Sequence, residues 1–293
     1  MSITYIPIRS LDPRLKRHIC HDSRSWNYSL PTDGMTLQDK TWAMYMNDGK
    51  LDQGNVGACT AETADELLAS DPLFDTLDLA TQQGVTSGAQ DWPLAFYHDE
   101  TADDDISGTY PPNDTGSDAL GMAKAALARG LISGYQHTFT AEDALLGLSN
   151  VGPFGWGTLW KTGMDNVDVD TGQVKYSGAV RGGHEISAYR IDVTNERVWC
   201  HNHWGAWGYQ NGGTFWISFA DFEKSLADQG DVVFFTPRTS PAPTPQPPAP
   251  PAPTSPLAIA AKTLNPWSAE HHLGENARAA AAWKKYYKTV VAS

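Results

Sequence analysis

The chain has 293 residues, 41% of them hydrophobic, enough for a substantial core in one large domain or two. A net charge of −13, with no Lys/Arg cluster large enough to neutralise a phosphate backbone, excludes a nucleic-acid partner. No apolar run reaches the roughly 18 residues that a membrane span needs, and Met1-Ser-Ile-Thr-Tyr-Ile-Pro-Ile-Arg9 lacks a signal peptide's apolar region and cleavage site, so a cytoplasmic location is the default expectation.

Residues 1–50 read as an extended arm that packs on the domain, with Arg14-Leu-Lys-Arg-His-Ile-Cys-His-Asp-Ser-Arg-Ser25 at its centre. His18, Cys20 and His21 invite a metal reading that Cys200, His201 and His203 would complete. Neither cluster has the paired spacing of a structural zinc site, so no metal and no cofactor are expected. The cysteines are Cys20, Cys59 and Cys200. Their number leaves a Cys20–Cys200 disulfide open, and a reducing compartment disfavours it.

Leu51-Asp-Gln-Gly-Asn-Val-Gly-Ala-Cys-Thr-Ala-Glu-Thr63 is the most informative stretch. Gly54, Asn55 and Gly57 suit a tight loop, and Cys59 to Ser70 holds helix formers with neither Gly nor Pro. Cys59 is therefore expected at a helix N-terminus, where the dipole and unpaired N–H groups favour thiolate. Gln53 is placed to fold back beside the sulfur and offer its amide to a developing oxyanion, with the Cys59 N–H as a second donor.

From Leu67 to Pro112 a helical pattern is mixed with an acidic run, Asp99-Glu-Thr-Ala-Asp-Asp-Asp105, expected to be a solvated loop. Asp114 to Gly130 reads as a capped helix ending at a glycine, and Thr140 to Ser149 as a second helix with Thr140 as its N-cap. Strands are expected at Val174–Val180, His184–Val193, Arg197–His201, Thr214–Phe219 and Val232–Thr236, with a further strand beginning in Val151–Trp160. Helices first and strands second predict an α+β protein of two lobes, the second an antiparallel sheet or barrel.

Past Thr236 the composition changes. Residues 237–256 are a proline-rich linker, and 18 residues of polyproline II, from Thr239 to Pro256, span about 50 Å at about 3.1 Å each. The tail, 257–293, is helix-compatible over Glu275–Tyr287 and ends in the basic, aromatic Trp283–Lys288. It is too short for its own core, so it is expected to dock on a target or to stay partly disordered.

Gln53-Gly-Asn-Val-Gly-Ala-Cys59 resembles the nucleophile segment of papain-like cysteine peptidases (peptidase C1 type). Gly182-Gly-His-Glu-Ile-Ser-Ala-Tyr-Arg-Ile-Asp192 resembles that family's histidine strand, and Cys200-His-Asn-His-Trp-Gly205, with the aromatic strand after it, resembles its Asn-Ser-Trp-Gly block. The resemblance runs from Leu51 to Thr236 in the family's order, and in appearance is nearest to bacterial and phage-encoded members. It implies a papain-like peptidase domain over 51–236. Cys59 would be the nucleophile, His184 the acid/base, Asn202 the group orienting the imidazole and Gln53 an oxyanion donor. Trp204 would shield the His184–Asn202 bond, and the backbone of Gly116 would line the substrate groove.

Three positions depart from the family's pattern: Val56 stands where secreted members have a cysteine, Thr60 where a tryptophan follows the nucleophile, and His203 where a serine follows the asparagine. Two other functions are consistent with the same residues, a peptidoglycan-cleaving cysteine hydrolase and a catalytically inactive papain-like structural protein, the latter in a virion. A peptide or protein substrate is the partner implied.

Overall fold

The structure is a computed structural model that describes residues 3–47 and 49–239. The tail and all but the first three residues of the linker lie outside the described residues. In chain order the elements are β1 (Ile3–Ile6), β2 (Ile19–Asp22), β3 (Lys40–Thr41), α1 (Cys59–Leu68), α2 (Leu79–Thr86), α3 (Asp91–Asp103), α4 (Ala119–Ala128), β4 (Gly134–Thr138), α5 (Ala141–Asn150), β5 (Phe154–Lys161), β6 (Val180–Asp192), β7 (Arg197–His201), β8 (Thr214–Ser218), α6 (Phe219–Ala227) and β9 (Asp231–Thr236).

Helices α2, α4, α5 and α6 start at side-chain caps. The Asp118 carboxylate accepts from the N–H groups of Leu120 and Gly121 at the start of α4, and the Thr140 hydroxyl accepts from Asp143 N–H at the start of α5. Gly130, at φ +68, closes α4 in the left-handed conformation expected of its C-terminal glycine. Helix α6 was not anticipated, although Ser218 caps it with a hydrogen bond from Asp221 N–H, because the expected strand ran on into Phe219.

One antiparallel sheet dominates, in the order β4-β9-β5-β6-β7-β8, with β3 added to β6. It is open, so the barrel alternative does not hold. Strand β6 is longer than expected at its N-terminal end, and β4, unanticipated, lines the edge beside β9. Val174–Ala179 forms no strand: Val174 N–H bonds Trp216, Tyr176 N–H is taken by the Asp221 carboxylate, and Gly178 turns the chain at φ +88.

Two apolar clusters form the core. The sheet's cluster is built on aromatics such as Trp156, Trp160, Phe215 and Phe234. The helical one is built on small residues of α1 and α4, including Ala61, Ala64 and Ala123, which let helices approach closely. The acidic run is not a solvated loop, because Asp99 to Asp103 complete α3. Glu100 is fully buried and accepts a bond from Thr60 at 2.9 Å, and Asp99 pairs with Arg129.

Candidate active site

The loop before α1 turns at Gly54 (φ +58) and is closed by a bond from Val56 N–H to the Gln53 carbonyl. Gly57 has no room for a side chain, since a Cβ would lie 2.5 Å from the Lys16 side chain. This delivers Cys59 as the first residue of α1. The N-cap Ala58 supplies no capping bond, so the first-turn N–H groups are left for another acceptor. Cys59 is fully buried, and burial pushes its thiol up to about 12, opposed by a hydrogen bond from the Glu185 main chain.

Gln53 lies beside this loop with its amide orientation fixed. Its Oε1 accepts from Trp204 Nε1 at 3.1 Å and from His203 Nδ1 at 2.7 Å, which turns Nε2 outward to donate to Val56 O at 2.7 Å and Arg14 O at 3.3 Å. His203, where the resembled family has a serine, therefore holds the amide in place. Its other nitrogen, Nε2, lies 3.0 Å from the Glu185 carbonyl, and burial drives the ring's pKa well down.

His184 lies on β6, opposite Thr158 of β5. Its Nε2 donates to Asn202 Oδ1 at 2.8 Å, and Nδ1 has no hydrogen-bond partner among the described residues. Burial lowers its pKa to about 4, against the smaller upward pull of the Asn202 oxygen. Trp204 packs on the imidazole with centroids 5.0 Å apart, and Trp160 meets it edge-on at 5.1 Å. The sequence-selected Gln53, Cys59, His184, Asn202 and Trp204 are thus collected around the meeting of α1 with β6. Gly116 adopts the left-handed conformation at φ +76.

No protein-family model matches the sequence, and no curated protein matches it. Among solved structures, the crystal structure of xylellain, a cysteine protease from Xylella fastidiosa, superposes on 81% of this chain and all of its own, with 14% identity and a TM-score of 0.53. The chain has a papain-like fold. Procathepsin B from Trypanosoma congolense aligns over 73% of this chain and 85% of its own, at 13% identity and a TM-score of 0.49.

The groove of this papain-like domain is filled by the arm, for which the sequence suggested only packing. Gln53 Nε2 points at the Arg14 carbonyl, and the Arg14 guanidinium stacks 4.2 Å above the Trp204 ring. Lys16 bonds the Asp114 carboxylate at 2.7 Å and bridges Gly183 in parallel register. Arg17 N–H donates to the Gly183 carbonyl and His18 N–H to the Ser117 carbonyl. A Cβ on Gly116 would lie 2.0 Å from the Lys16 carbonyl oxygen, so the arm's backbone takes the place there that the resemblance gives to a substrate.

Of the six residues of the metal reading, His18, His21 and His203 have hydrogen-bond partners of their own, whereas both ring nitrogens of His201 lack one among the described residues. His18 Nδ1 accepts from Ile8 N–H and its Nε2 donates to the Thr115 carbonyl, while Cys200 sits in the sheet's core. All three cysteines are free thiols, and among the described residues no group of His, Cys, Asp and Glu is arranged to hold a metal ion. No helix among the described residues is long and apolar enough to cross a membrane.

Proposed function

We propose that the chain is a cysteine peptidase whose groove is covered by its own arm. The observation that carries this reading is the His184 imidazole, bonded through Nε2 to Asn202 and without a hydrogen-bond partner at Nδ1 among the described residues, on the strand against which α1, opened by Cys59, packs. Cys59 Sγ attacks the peptide carbonyl as its proton passes to His184. Gln53 Nε2 and the Cys59 N–H stabilise the oxyanion. The tetrahedral adduct expels the amine, which takes the proton from His184, and leaves a thioester on Cys59. Water activated by His184 then hydrolyses that thioester and releases the acid. Asn202 orients the imidazole, Trp204 excludes water from their bond, and Gly116 receives the substrate backbone.

In the covered state the pair is inert. A thiol pushed up to about 12 beside an imidazole pushed down to about 4 leaves both groups neutral near pH 7. Displacing the arm lets water and substrate reach them and relieves the desolvation that sets both shifts. The peptidase unit is residues 51–236, ending with β9, and the linker and tail serve location rather than chemistry.

Casein and fluorogenic peptides incubated with the full-length chain test the reading. Hydrolysis that is absent in Cys59→Ala, together with epoxide labelling confined to Cys59, is the expected result. Undiminished hydrolysis in that variant would overturn it, as would cleavage of cell walls but not of casein.

A further inference from the structure

Arg17 is fully buried, although its neighbours in the arm are not all so, and the sheet is built to receive its guanidinium. Three residues lie side by side across neighbouring strands: Asp231 on β9, Gly157 on β5 and Glu185 on β6, with Gly157 paired to both others. This row presents a carboxylate, a gap and a second carboxyl group. Arg17 lies over the gap, with Nη2 2.6 Å from Asp231 Oδ2, Nε 3.5 Å from Glu185 Oε2 and Nη1 donating to the Gln229 carbonyl at 3.4 Å. The gap has to be a glycine, because a Cβ on Gly157 would sit 2.5 Å from Arg17 Nε.

We propose that this pocket is a specificity site for arginine, which the arm fills with Arg17 and a substrate fills with an arginine within three residues of the bond that is cut. Glu185 ties the pocket to the chemistry, since it follows His184 directly on β6. An apolar side chain would leave Asp231 and Glu185 unpaired, whereas a planar guanidinium reaches both at once. The pocket is a further reading of the peptidase site and rests on it for the cleavage step alone.

The test uses full-length Arg17→Ala, in which the pocket is emptied. With arginine amide at ten times its dissociation constant, the melting midpoint should rise by about 3 °C, and norleucine amide should give no rise. The rise should vanish in Arg17→Ala/Asp231→Asn. In a degenerate peptide mixture, cleavage by Arg17→Ala should show arginine enriched about tenfold over leucine at one position near the cut, and the double variant should lose that preference.

A rise without any cleavage supports the pocket and counts against the peptidase reading. No rise, a rise that survives Asp231→Asn, or cleavage without arginine preference overturns the pocket. Should Arg17→Ala not fold, Asp231→Asn alone in the native chain decides. Stripping the partner from a buried guanidinium should loosen the arm and speed Cys59 labelling by an uncharged epoxide about tenfold or more, and an unchanged rate overturns the proposal.

Discussion

On the helical side of the site, α1 buries Glu62, Asp65 and Glu66, and α3 adds Glu100. On the sheet side, β6 and β7 bury His184 and His201, with His203 just beyond. Both sides pack ionisable groups into the interior, and burial shifts them in opposite directions. The carboxyls are raised, Glu66 to about 8, and the histidines are lowered, His201 to about 3. Few bonds oppose the trend. Glu66 accepts from Ser187, Glu100 from Thr60, and both Asp65 oxygens lack partners among the described residues. Burial thus disfavours the charged form of these carboxyls and histidines alike, so ionisation of the Cys59–His184 pair has to come with opening.

The largest expected effect breaks the comparison at its meeting point. Cys59→Ala should abolish peptide hydrolysis by the full-length chain without lowering its melting temperature appreciably, because the change removes one sulfur from the start of α1. A kinetic assay paired with a thermal melt reads both. Next comes Gln53→Ala, which removes the donor aimed at the Arg14 carbonyl. We expect kcat to fall about 10²-fold, on the scale of losing such a donor. A fall confined to KM would mean that Gln53 contacts the substrate away from the reacting carbonyl.

Asn202→Ala should cost less, about tenfold, because Trp204 and Trp160 still pack on the imidazole after the 2.8 Å bond is gone. It should also shift the pH–rate profile, since the Asn202 oxygen stabilises the protonated ring. A wild-type profile in this variant would assign the orienting role to another residue.

What the sequence disclosed of this arrangement was local. The glycine turn, the six-residue step from Gln53 to Cys59, and the strand carrying His184 are short-range patterns, and each was legible. The α+β order was legible for the same reason. The arm's place in the groove was not, because Arg17 meets Asp231 and Gln229 across more than 200 residues, through a row of three strands whose register no local pattern reveals.

Glu100 misled for a related reason. An acidic run read in one dimension does not show that one member of it turns inward to Thr60 while Asp99 pairs with Arg129. His203 stood out only as a departure from a pattern. Its role in holding Gln53 depends on where two loops meet.

The smallest expected effect separates the two sides by pH. For His184 and His201 the folded state holds the ring neutral, so between about 4 and the ordinary value of 6.5 the unfolded chain binds more protons and stability rises with pH. For Glu66 the folded state holds the proton up to about 8 against 4.5 when unfolded, so its contribution is fully present below 4.5 and is lost as pH rises toward 8. The two trends oppose each other between 4.5 and 6.5, and above 6.5 only the carboxyl trend remains. The melting temperature should therefore decline from pH 6.5 to 8. Glu66→Gln keeps an oxygen for Ser187 and cannot ionise, so its melting temperature relative to the native chain should be higher at pH 8 than at pH 5. An equal difference at both values would show that Glu66 keeps its charge in the folded protein, and the helical side would then not be the acid counterpart of the histidine side.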